Sequence, residues 1–229
     1  MTLRWIYAFF LYNRNSDSFT RLKHEGDRLM RRVMIGQMLL ILCCIFYLIW
    51  WYRGFRPNVI VSRVGGVNGI LLMITAALGL AGIFISMSHI PAEKEPKLDQ
   101  SVIVLGGIIL YVGLLLVTKL VFHRIVTTEL ILIVGWAVLE LTVINRLSAA
   151  GYLSEGKFSV MCIVIAIAFL ISMVLYVAYY RMEEMKAFYA AMVPLITESV
   201  AMAVLVGMLF KGDNQTKKRR VEYFRNLLR

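Results

Sequence analysis

Histidine, cysteine and proline are all scarce in this chain, with three, three and four copies among 229 residues. His24, His89 and His123 stand far apart, so there is no H-E-x-x-H pair and no second histidine at ligand spacing. Cys43, Cys44 and Cys162 have neither zinc spacing nor the pattern of a disulfide framework. They read as small, polarisable apolar residues of a helix bundle. Walker loops, G-x-S-x-G elbows and G-x-G-x-x-G fingerprints are missing as well. Every aspartate falls in a predicted loop or tail, which removes an intramembrane aspartyl site. The expectation is a protein that is not an enzyme and holds no cofactor and no metal.

Acidic residues are also few, 14 against 25 Lys and Arg, for a formal charge of +11. Such an excess can mark a nucleic-acid partner. Here the basic residues flank apolar runs and gather near the two ends of the chain, the pattern of contact with anionic lipid headgroups, so no nucleic acid is expected.

What the chain has in abundance is apolar surface: 60% of its residues are hydrophobic and mean hydropathy is +0.74. The apolar residues form six runs of about 20, the length that crosses roughly 30 Å of hydrocarbon at 1.5 Å per residue. The runs cover about 33–52, 64–88, 101–122, 126–145, 158–180 and 187–210. The first ends in Tyr47, Trp50, Trp51 and Tyr52, which read as an interfacial aromatic belt before Arg53. Pro57 then opposes helical continuation, and Pro91 and Pro96 mark the clearest loop, from His89 to Gln100. The short turn near His123 and Arg124 implies an antiparallel hairpin of the third and fourth spans.

Before the first run, Leu3 to Tyr12 is too short to span and has no cleavage site behind it. Trp5, Tyr7, Phe9, Phe10 and Tyr12 followed by Arg14 suit a segment lying in the interface. The fold class is therefore an all-α, polytopic membrane helical bundle of six transmembrane helices with an N-terminal interfacial segment. Residues 1–32 form that cytoplasmic or interfacial segment, 33–210 the transmembrane domain and 211–229 a basic cytoplasmic tail. Counted on alternate sides, Lys and Arg divide about 18 to 7 in favour of the side holding both termini, which positive-inside statistics place in the cytoplasm. A cell-membrane location is expected.

Asn68, Thr75, Gly79, Gly82 and Ser86 recur at helical steps along the second span and make one small, weakly polar stripe. In lipid such a stripe lets another helix approach closely.

Ionisable groups inside a span are costly and so lead the search for function. Glu198, in the sixth span, stands beside Thr197 and Ser199 and four residues after Pro194, which removes a backbone donor and frees a carbonyl. Glu140 is in the fourth span. Counted from the outer ends, the two lie about 17 and about 21 Å deep, so they could meet and share a proton or a cation. Glu129 lies on the same face as Trp136 and Glu140, and Lys119 and His123 could pair with it across the hairpin. Glu198, Glu140, Glu129 and Thr197 are the candidate substrate or ion-binding residues.

Two functions follow. One is a small transport protein or permease subunit that handles a proton, cation or small solute through these carboxylates. The other is a non-catalytic assembly, anchoring or regulatory subunit of a larger membrane complex, with a membrane-protein partner or a second copy of itself. The tail residues Val221, Tyr223, Phe224, Leu227 and Leu228 could form an amphipathic docking helix for such a role.

Overall fold

The computed structural model describes the backbone of residues 2–56, 65–87, 95–123, 128–179 and 182–227, with side chains for most positions from 28 to 210 within them. The aromatic side chains of 3–12, the side chain of Glu129, the loop prolines Pro57 and Pro91, the turn residues Arg124 and Arg181, and the basic tail side chains lie outside what is described.

Among the described residues seven helices follow one another: α1 (Thr2–Phe55), α2 (Val67–Ser86), α3 (Gln100–Phe122), α4 (Thr128–Ala149), α5 (Glu155–Tyr179), α6 (Glu184–Ala190) and α7 (Val193–Leu227). Among the described residues there is no strand. Six stretches are long and apolar enough to cross a membrane: Met30–Phe55, Val67–Ser86, Gln100–Val121, Leu130–Ala149, Glu155–Tyr179 and Met185–Phe210. Their outer faces carry large apolar side chains left exposed by the described residues, among them Met73 and Phe84, each 75% exposed, and Leu120 at 73%. So much continuous apolar surface is an aggregation liability in water, but it is the ordinary outer face of a helix among lipid tails. The protein is thus a multi-helix bundle of integral-membrane character.

α1 is one helix from Thr2 onward, and its stretch long and apolar enough to cross a membrane is Met30–Phe55. The sixth run is divided at Ala191 and Met192 into α6 and α7. Pro194 explains the division: it is the second residue of α7, where a missing N–H costs least, and it cannot donate to Ala190 as a continuous helix would require.

Packing runs in a chain of neighbours. α2 lies on α1, α1 on α7, α7 on α5, α5 on α4 and α4 on α3, and α7 also touches α4. The inner group is therefore α1, α4, α5 and α7, with α2 and α3 outside it. Leu40, Ile144, Leu147, Met161, Ile165 and Met202 are central to the common core. Buried residues on α5 recur at Met161, Ile165, Ala168, Ser172 and Tyr176, the steps of three and four that make a single stripe of a 3.6-residue helix.

The α1–α2 contact is close because glycines make it so. A Cβ at Gly36 would collide with Ser86 Oγ and lie 2.7 Å from the Ser86 nitrogen, and one at Gly82 would lie 2.8 Å from Leu40 Cγ. At Gly79 it would lie 3.1 Å from Cys43 Sγ. Asn68, Thr75 and Ser86 are buried on the same side of α2. Arg53 Nε donates to Asn68 Oδ1 at 3.2 Å, and Cys43 Sγ donates to the Thr75 carbonyl at 3.2 Å. Thr75 Oγ1 returns to its own helix, donating to the Leu71 carbonyl at 2.8 Å. The stripe on α2 therefore faces α1.

The helix ends show why the elements stop. Asp99 caps α3 by accepting from the Ser101 amide at 3.0 Å, and His123, at φ 52°, ends it in the left-handed region. α4 ends in a Schellman motif: Gly151 has φ 74°, the Tyr152 amide donates to the Leu147 carbonyl at 3.0 Å, and the Gly151 amide donates to Ser148 at 3.0 Å. Close to this end, Arg146 donates to the Met87 carbonyl at 3.1 Å and to Gln100 Oε1 at 3.0 Å. Asn145 holds Leu98 by both backbone groups, accepting from its amide at 3.2 Å and donating to its carbonyl at 2.6 Å. The end of α4 thereby fastens the end of α2 and the start of α3.

Candidate functional site

Both carboxylates singled out from the sequence are inside the bundle, Glu140 at 1% and Glu198 at 3% exposure. They occupy different surroundings. Glu140, on α4, accepts from Gln37 Nε2 of α1 at 3.1 Å through its Oε2. Glu140 Oε1 and Gln37 Oε1 are both buried without a hydrogen-bond partner, and so is Trp136 Nε1 one turn earlier on α4. Unpaired buried polar atoms of this kind each cost about 1–3 kcal/mol, so these three set the locus apart from the apolar core around it.

Glu198 has no hydrogen bond to its Oε1. Its neighbours in sequence do not supply one. Thr197 Oγ1 donates to the Val193 carbonyl at 2.9 Å and Ser199 Oγ to Leu195 at 2.8 Å, so both hydroxyls are turned back on α7. Glu198 instead lines a partly enclosed chamber built by four helices: Tyr47, Leu48 and Trp51 of α1, Leu132 and Ile133 of α4, Tyr176 and Tyr179 of α5, and Pro194 and Leu195 of α7, with Ala191 and Met192 from the break between α6 and α7. The space open to the centres of water-sized molecules is about 50 Å³.

The division of the sixth run helps to make this chamber. Because α7 begins at Val193, Glu198 projects from only its second turn, and Ala191 and Met192 form part of the wall. Ser172 Oγ approaches the Pro194 carbonyl at 3.5 Å, at the outer limit of a hydrogen bond. Trp51 is backed by Phe55, with ring centroids 4.2 Å apart and planes 16° from parallel.

Glu140 does not line the chamber, and the two carboxylates share no hydrogen bond. Glu129 begins α4, but its side chain is outside what is described. Among the described residues no group of three or more His, Cys, Asp and Glu is placed to hold a metal ion.

Sequence reasoning missed Gln37 and the chamber's aromatic residues. An amide in an otherwise apolar run was a usable signal for Gln37. Tyr47 and Trp51 were read as part of an interfacial belt, and their place beside Glu198 depends on which helices are neighbours. Compared with known protein families, curated proteins and solved structures, the chain matches none.

Proposed function

We propose that the chain is a small transport protein or permease subunit of the cell membrane, with both termini cytoplasmic, that handles a proton, cation or small solute through its intramembrane carboxylates. The observation that carries this reading is Glu198: 3% exposed, without a partner at Oε1, and part of the wall of a chamber among four helices. A carboxylate in hydrocarbon is costly, by about 2.5–3.5 kcal/mol even on insertion scales, and packing alone would be served as well by Gln or Leu at that position. Glu140, held by Gln37, is the second carboxylate of the path. The chamber lies toward the ends of α1 and α5 and the starts of α4 and α7, the side facing away from the cytoplasm in this orientation. Uptake of proton and monovalent cations by cells producing the chain should fall to background when Glu140→Gln and Glu198→Gln are combined; undiminished uptake by that variant removes the reading.

The helical extensions favour a second reading. α1 runs far ahead of its apolar part, which begins at Met30, and α7 continues to Leu227 beyond Phe210. Helices reaching out of the membrane suit a non-catalytic assembly, anchoring or regulatory subunit, with anionic headgroups and a membrane-protein partner, or a second copy, against the basic segments. A monodisperse monomer without a co-purifying protein would contradict it.

A further inference from the structure

We infer that the Glu198 chamber binds a small alkylated ammonium cation, its charge faced by the Glu198 carboxylate and its alkyl groups by Tyr47, Trp51, Tyr176 and Tyr179. The transport reading supplies the purpose of this site, and the inference names its ligand class.

The argument starts from what the chamber contains. Its polar wall is one carboxylate with a buried, unpartnered oxygen, together with three tyrosines and one tryptophan, and among the described residues no Lys, Arg or His lines it. Once ionised, a carboxylate with no cation beside it among the described residues attracts positive charge strongly in a low-dielectric space. Aromatic residues then decide which kind. Ring faces are negative and stabilise cations by cation–π attraction, most of all when water is excluded, and clusters of Tyr and Trp are the usual receptors of methylated ammonium groups.

A hard metal ion fits this wall poorly. Ions of that class require six or more oxygens at short range, whereas Leu48, Ile133, Leu195 and the indole of Trp51 offer none. An alkylated ammonium has the opposite needs: its charge is spread over an apolar periphery, and few hydrogen bonds are lost on leaving water. Phe55, stacked on Trp51, holds the indole plane before a ligand arrives.

The test is binding of tetramethylammonium chloride to the purified full-length chain in lipid nanodiscs, followed by calorimetry. Sodium chloride, potassium chloride and the neutral isostere tert-butanol serve as comparisons. Expected is saturable binding of tetramethylammonium but not of tert-butanol, weakened at least tenfold by Glu198→Gln and by Trp51→Leu and largely retained in Trp51→Phe. If Trp51→Leu does not fold, Tyr179→Leu takes its place, with the same loss expected. No saturable binding of tetramethylammonium, binding indifferent to all of these substitutions, or stronger binding of sodium or potassium overturns the inference. A Glu198-dependent proton or metal-cation flux accompanied by no tetramethylammonium binding overturns the ligand class while leaving the transport reading intact. Binding with the expected variant pattern but without any flux supports the ligand class and removes the transport reading.

Discussion

Gln37 and Glu140, 103 residues apart in the chain, are joined by a buried hydrogen bond of 3.1 Å between α1 and α4. Glu140 Oε1 and Gln37 Oε1 find no partner among the described residues. The pair ties two helices of the inner group together inside the bundle.

Removing one partner is more damaging than removing both. Gln37→Leu leaves Glu140 with no hydrogen bond and should lower stability by about 1–3 kcal/mol. The double variant Gln37→Leu with Glu140→Leu should recover most of that loss. Thermal unfolding in a fixed detergent measures both, and a double variant no more stable than Gln37→Leu would show that the pair is not the source of the cost.

Close approach of α1 and α2 depends on Gly36 and Gly82, where an added Cβ meets Ser86 or Leu40. Gly36→Ala should therefore destabilise by about 1–3 kcal/mol through overpacking. Gly113→Ala on α3, where a Cβ meets nothing within 4 Å, should be neutral or slightly stabilising. Equal melting temperatures for the two variants would contradict the packing described.

At the end of α4, Asn145 grips Leu98 by its amide and its carbonyl. Asn145→Ala should speed hydrogen exchange at the Leu98 amide about tenfold or more. Arg146→Met should loosen α2 and α3 together by removing the bonds to Met87 and Gln100. Exchange by mass spectrometry over residues 95–101 reads the first effect directly.

Orientation rests on charge. Lys and Arg favour the side of the termini by about 18 to 7, so a reporter active only in the cytoplasm should work when fused at either terminus. Fused in the turn between α5 and α6, the same reporter should be silent.

Six apolar helices were legible because a run of about 20 apolar residues has few alternatives to a spanning helix. The break between α6 and α7 was less so: Pro194 was noticed, but Ala187 to Val193 remains apolar throughout, and hydropathy does not see a change of helix. The helical continuity of residues 13–32 with the first apolar run is invisible to hydropathy, since those residues are polar yet helical. Glu198 and Glu140 were legible as costly groups. Their partners were not, because Gln37, Trp51 and Tyr176 become neighbours only once α1 packs on α7 and α7 on α5.

The central claim is that buried carboxylates carry a proton or cation through this bundle. Its most direct test is flux into liposomes holding the purified chain, with an imposed proton or cation gradient and a dye reporting the lumen. The account predicts that the intact chain dissipates a gradient well above protein-free liposomes and that Glu198→Gln or Glu140→Gln slows it at least tenfold. Flux indistinguishable from empty liposomes, or flux that survives both substitutions, would contradict it.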